Sequence, residues 1–178
     1  HQDLVLAVAV AVDEALAFIE MICRGVSQEI NSTIIVQNIP CPPMPLFGGL
    51  DARLSGSQRR RIDQFNKGLS TFLGEVSGIL FDVDGLARNV GYENWFKPQQ
   101  WHIAKLPFSQ IYSPIYADHC MRLIGSVRGV SRKCLVLDLD NTLWGGVVGD
   151  DGLAGITLGQ GNPVGEAYLA IQQVAKHL

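Results

Sequence analysis

What the chain lacks bounds it first. Its four cysteines, Cys23, Cys41, Cys120 and Cys134, stand far apart and form no CxxC pair. That spacing speaks against a zinc site and against a disulfide framework, and so for a reducing, cytoplasmic setting. No apolar run reaches membrane-spanning length, because Asp13 and Glu14 interrupt the longest one. Basic clusters are scarce: Arg59-Arg60-Arg61 is the only one, in a chain with net charge -3 and a pI near 5.8. Non-specific nucleic-acid binding is thereby disfavoured, and a solvated helix face accounts for the three arginines. Charged residues make up only 17% of the 178, whereas 47% are apolar, so the chain can bury a core and wholesale disorder is excluded. That length fits one domain, or a domain and a piece of another. His1 rather than Met stands first, as expected of a piece rather than of a native start.

What is present alternates between strand-like and helix-like stretches. Leu4 to Val12 reads as a strand, as a helix start, or as one passing into the other. Leu16, Ile19, Cys23, Val26 and Ile30 recur at helical spacing and predict an amphipathic helix from Asp13 to Ile30. Thr33 to Ile39 is β-branched and apolar, a buried strand. In Pro40-Cys41-Pro42-Pro43-Met44-Pro45 four of six residues lack an amide donor, so a loop is expected at the strand's carboxyl end, where open α/β sheets place ligands. Ser55 or Ser57 can cap a helix running to about Val76. Ile79 to Asp84 predicts a strand, an aromatic segment follows (Tyr92, Trp95, Phe96, Trp101), and Pro114 to Val127 a helix. Cys134 to Asp140 predicts a further strand, followed by a glycine-rich loop. Asn162-Pro163 reads as N-cap and first position of a last helix. The alternation points to a parallel sheet covered on both sides, an α/β three-layer sandwich.

The chemistry concentrates at the end of the strand Leu135-Val136-Leu137, in Asp138-Leu139-Asp140. Two carboxylates one residue apart on a strand lie on one side and reach a common pocket. Two acids held this close suit a magnesium site, since a hard cation takes carboxylate and carbonyl oxygens and offsets their repulsion. They also suit covalent phosphoryl transfer, in which one aspartate attacks phosphorus. Gly145-Gly146 lets the backbone turn sharply beside them. A second copy, Ile79-Leu80-Phe81-Asp82-Val83-Asp84, carries Leu86 where the later one carries Thr142. It lacks the hydroxyl expected near the first aspartate and reads as structural.

Asp138-Leu139-Asp140-Asn141-Thr142-Leu143 after an apolar strand resembles motif I of the haloacid dehalogenase (HAD) superfamily of phosphatases and phosphotransferases. The longer run from Arg132 through Trp144-Gly145-Gly146 to Gly159-Gln160-Gly161-Asn162-Pro163, with Trp101 to Phe108 upstream, resembles a narrower group, the FkbH-like proteins. That resemblance implies two domains: residues 1–130 an SGNH-hydrolase-like α/β domain lacking its first strand, and 131–178 the first βα unit of a HAD Rossmann-like domain. It implies Asp138 as nucleophile and Asp140 as general acid and then base. Substrate contacts would come from Asn141, Thr142, Gly145 and Gly146. Mg²⁺ would lie at Asp138 and Asp140, with an acidic residue further along the chain as third ligand. The implied reaction dephosphorylates 1,3-bisphosphoglycerate and loads its glyceryl unit onto an acyl carrier protein through an enzyme thioester, for polyketide assembly; no cysteine in the sequence identifies itself as the thioester former.

His102 stands where SGNH hydrolases carry the histidine of a DxxH block, but Gln99 occupies the aspartate position and no serine lies in a GDS pattern. His102 is thus expected to be a vestigial site residue, or one packed in the aromatic cluster. A HAD fold also needs a later Ser or Thr, a Lys and an acidic pair, and the sequence ends at Leu178, so the 178 residues alone are expected to be a weak or dead catalyst. Two other readings stand beside the first: an SGNH-type esterase or acyltransferase, and a non-catalytic docking module for a carrier protein. The unpaired edge of a half-built sheet makes a homodimer an expectation as well.

Overall fold

The apolar opening run is helical. In the computed structural model, which describes residues 2–30, 32–130 and 132–178, a single helix α1 (Gln2–Glu29) takes in both the run from Leu4 and the amphipathic stretch after it. The chain divides into two compact units, His1–Arg128 and Gly129–Leu178.

In the first unit α1 lies against α2 (Gln58–Glu75), whose N-cap is Ser57 with its hydroxyl accepting from the Arg60 amide at 3.2 Å. Leu16, Ile19 and Cys23 of α1 meet Leu69, Phe72 and Leu73 of α2. The close approach depends on Gly68, where a Cβ would collide with the Leu16 side chain. Strand β1 (Ile35–Gln37) pairs in parallel with β2 (Ile79–Phe81), Ile35 opposite Ile79 and Gln37 opposite Phe81. Side chains alternate across a strand, so Ile34, Val36 and Leu80 join the α1/α2 core. Ile35 and Phe81 enter a second core on the opposite face with Val83, Leu86, Ala87 and Trp95. That second core is closed by α3 (Val83–Val90), α4 (Tyr92–Trp95) and α6 (Ser113–Val127), with α5 (Pro98–Ala104) between the last two. The aromatic segment is therefore structural at its centre: Trp95 is 1% exposed and stacks on Phe108, ring centroids 4.6 Å apart.

Both strands are shorter than the apolar runs that predict them. The Asn38 amide still donates to the Phe81 carbonyl at 3.2 Å, and there the ladder ends because Asp82 turns the chain into α3 by accepting from the Gly85 amide. Among the described residues the sheet has these two strands. Helices cover both of its faces, but the wider three-layer sandwich expected from the sequence is not observed.

The second unit corrects the sequence reading further. Cys134 to Leu139 form no strand, and Leu135 and Val136 are 54% and 87% exposed rather than buried. A strand needs a neighbour to take its amides and carbonyls; among the described residues of this unit only two isolated bridges occur, Asp140 with Trp144 and Gly145 with Thr157. Part of the expected glycine-rich loop is helix α7 (Val148–Gly155), kinked at Gly152, whose start is held by Asp151 accepting from the Val147 amide at 2.9 Å. Helix α8 (Pro163–His177) begins where Asn162-Pro163 predicts, with the Asn162 side chain accepting from the Val164 amide at 2.9 Å. Gly165 packs it against the loop before it: a Cβ there would lie 2.7 Å from the Gly159 carbonyl oxygen.

Candidate functional site

The Asp138–Gly146 stretch is a tight turn held by its own side chains. Asp138 is exposed, its Oδ1 accepting from the Leu139 amide at 2.9 Å. Asp140 is half-buried, and its Oδ1 accepts from the Trp144 indole Nε1 at 3.0 Å and from the Val148 amide at 3.3 Å. Asn141 adopts the left-handed backbone (φ 54°), a conformation asparagine tolerates better than most residues. Its side-chain oxygen accepts from the Gly146 amide at 2.9 Å, closing the turn. The Thr142 and Leu143 amides donate to the Leu139 carbonyl, and among the described residues the Thr142 hydroxyl makes no hydrogen bond to Asp138. Gly145 exchanges both backbone hydrogen bonds with Thr157, at 3.0 and 2.7 Å, and a side chain at Gly145 would press on the Tyr168 ring. Gly146, at φ 98°, makes the sharp turn expected of the glycine pair. The sequence reading thus brings Asp138, Asp140, Asn141, Thr142, Gly145 and Gly146 into one turn, but assigns no part to Trp144 or Val148. The four-residue spacing from Asp140 to Trp144 is the signal that could have found the indole.

The other aspartate pair is consumed by structure. Asp82 Oδ1 accepts from Asn38 Nδ2 at 2.7 Å and from the Gly85 amide at 2.9 Å, while Asn38 Oδ1 accepts from the Asp84 amide at 2.8 Å. Asp84 accepts from the Tyr92 hydroxyl at 2.7 Å and from the Cys41 amide at 3.3 Å, and its other oxygen lies 3.0 Å from Arg88. Burial, and then this bond to Asp84, pushes the Tyr92 phenol up to about 12; the Asp84 carboxylate likewise raises Arg88. Asp82 Oδ1 and both Asp84 oxygens are engaged in tying β1, β2 and α3 together, so the pair is a joint.

His102 does not pack in the aromatic cluster. It is exposed in the last turn of α5, with no carboxylate partner among the described residues, on the wall of an open groove of about 820 Å³ at the carboxyl end of β1. Trp101, half-exposed, Phe96, Ile62 and the proline-rich loop make that groove mostly apolar. Burial raises the Cys23 thiol and, with Asp63 nearby, that of Cys41, and either shift favours the protonated form.

Neither a protein-family model nor any curated protein matches the sequence. One solved structure is similar: the N-terminal part of a Bacteroides fragilis protein, containing a phosphatase domain, complexed with Mg. It aligns at TM-score 0.82 and 27% sequence identity over 94% of this chain. The chain spans 44% of the length of that one. The fold is therefore one found in a phosphatase-containing protein, with a small parallel sheet in a mostly helical α/β chain.

Proposed function

We propose that this chain belongs to a magnesium-dependent phosphatase of the HAD type in which Asp138 is the nucleophile and Asp140 the acid and base. The observation that carries the reading is the turn itself: an exposed carboxylate at Asp138, with Asp140 two residues on, tethered by one oxygen. The likeness to a phosphatase-containing part complexed with Mg supports it. The donor chemistry fits the ion, because the Asp138 carboxylate and the Asp140 carbonyl are hard oxygens of the kind Mg²⁺ takes while keeping several waters. Among the described residues no cluster of three His, Cys, Asp or Glu side chains could hold a metal unaided. Bound there, the ion would offset negative charge on the phosphoryl group.

The residues' own chemistry runs in two steps. Asp138 attacks phosphorus, the bond to the leaving oxygen breaks, and Asp140 protonates that oxygen. Asp140, now a carboxylate, takes a proton from water, which attacks the aspartyl phosphate and frees Asp138. We propose further, on the likeness of residues 132–163 to FkbH-like proteins, that the substrate is 1,3-bisphosphoglycerate and the acceptor an acyl carrier protein. The carrier-docking reading has one observation on its side, the apolar groove beside Trp101 in the first unit. The SGNH-type esterase reading has none, since His102 has no carboxylate partner among the described residues.

The full-length protein with Mg²⁺ is expected to release phosphate from a small phosphoester. Asp138→Asn is expected to abolish release, a loss of at least about a hundredfold, and chelation by EDTA to suppress it reversibly. Undiminished release by Asp138→Asn would overturn the assignment. Mass spectrometry with a carrier protein tests the finer part: a glyceryl adduct is expected, and phosphate release without one would leave a plain phosphatase.

A further inference from the structure

The proton-handling role of Asp140 puts a demand on its side chain. A carboxyl that must deliver a proton and later accept one has to present the same oxygen each time, and a free aspartate can rotate about both of its side-chain bonds. In this chain only one of its oxygens is tied. Oδ1 receives the Trp144 indole N–H at 3.0 Å and the Val148 amide at 3.3 Å; Oδ2 has no hydrogen-bond partner among the described residues. An oxygen that already accepts two N–H groups is a poor place for a proton, because the O–H would have to displace or face those donors. The acid form therefore carries its proton on Oδ2.

Trp144 is well placed to hold this arrangement, since its backbone is fixed from three directions. It bridges Asp140 itself, the next residue Gly145 pairs with Thr157, and Gln172 of α8 donates to the preceding carbonyl, that of Leu143, at 2.7 Å. The indole thus projects from a braced segment, and from there its N–H reaches the carboxylate at 3.0 Å.

Resting on the phosphatase reading above, we infer that Trp144 is a positioning residue: its indole N–H, with the Val148 amide, clamps Oδ1 of Asp140 so that Oδ2 delivers the proton to the departing oxygen. The step balances as written for that reaction: the phosphorus–oxygen bond breaks, its electron pair stays on the leaving oxygen, and that oxygen takes the Oδ2 proton.

A leaving group that needs no proton will not register the loss of the clamp, whereas a poor one will. The test compares the full-length protein with Trp144→Phe, and with 3-benzothienylalanine at 144, which keeps the shape of the indole and lacks only its N–H. Values of kcat/KM, which report the reaction up to departure of the first product, are measured for p-nitrophenyl phosphate and for an alkyl phosphate such as glycerol phosphate. Both replacements are expected to lower kcat/KM for the alkyl ester about ten- to a hundredfold, part of the range general acid catalysis supplies, while the nitrophenyl ester changes by less than about threefold. Equal losses on both esters would show a merely structural role, and no loss on either would show no role; each overturns the inference and leaves the phosphatase reading standing. Asp138→Asn, run alongside, separates the two ideas: turnover by that variant sinks the reading, and the clamp with it.

Discussion

A left-handed backbone at Asn141 shows how much of this chain is decided residue by residue. The side chain tolerates φ 54° and uses its oxygen to catch the Gly146 amide, so one residue both bends the turn and closes it. Asn141→Val is expected to fail on both counts, placing a β-branched residue in a strained region and orphaning an amide, at about 1–3 kcal/mol; Asn141→Gly should cost less. Chemical denaturation followed by signals from residues 132–178 would check the order. Tyr92 makes a different residue-scale prediction. Its phenol is held up to about 12 from an ordinary value of 10.0, so through that window the folded chain keeps a proton that the unfolded chain has lost. The stabilisation is complete below the lower value and drains away as pH rises toward the upper one. Urea midpoints should fall across that alkaline window, and Tyr92→Phe should flatten the part of the fall that this phenol supplies; an unchanged slope would contradict the assignment. The sequence announces the turn residues through their type, but not their partners. That Asp82 and Asp84 serve Asn38, Tyr92 and Arg88 depends on two strands meeting side by side, which no local pattern records.

Among the elements, those that rest on local chemistry are legible and those that rest on distant pairing are not. Helices α2 and α8 begin at the caps that Ser57 and Asn162 supply, and α1 keeps the apolar spacing of Leu16, Ile19 and Cys23. The stretch from Cys134 to Leu139 has the composition of a buried strand yet forms none, because a ladder takes two strands and composition describes one. Likewise the aromatic segment reads as a cluster, but only the fold separates Trp95, at the centre of a core, from Trp101 on a groove wall. Removing the first should be severe: Trp95→Ala is expected to cost about 3–5 kcal/mol, enough to threaten the first unit, as thermal unfolding by circular dichroism would report. Gly165→Ala acts on the other unit, where the new methyl would meet the Gly159 backbone. A shift of loop or helix is then required, and a loss of about 1–3 kcal/mol is expected, confined to residues 129–178.

For the molecule as a whole, the distribution of buried side chains matters more than their number. Both apolar cores among the described residues lie in the first unit, whereas Gly165 is the buried residue of the second. Local opening is governed by how much apolar surface each segment keeps from water, so amide exchange should protect β1, β2 and α2 far longer than α7 or α8. Equal protection across the two units would contradict this. Leu135 and Leu137, with Ala170, Ile171 and Val174, line an open apolar hollow of about 270 Å³. Val136→Lys, at an exposed position next to it, should leave stability within about 0.5 kcal/mol. The pair Gly145 and Thr157 has a consequence for how such a protein changes over generations. Because the two backbones clasp each other, everything between them hangs from a closed stem, and residues gained or lost at the tip need not disturb the turn that carries Asp138 and Asp140. Selection can therefore lengthen, shorten or replace the part of that stretch beyond Val148, altering what reaches the aspartates while Gly146 and Val148 keep their bonds to the turn.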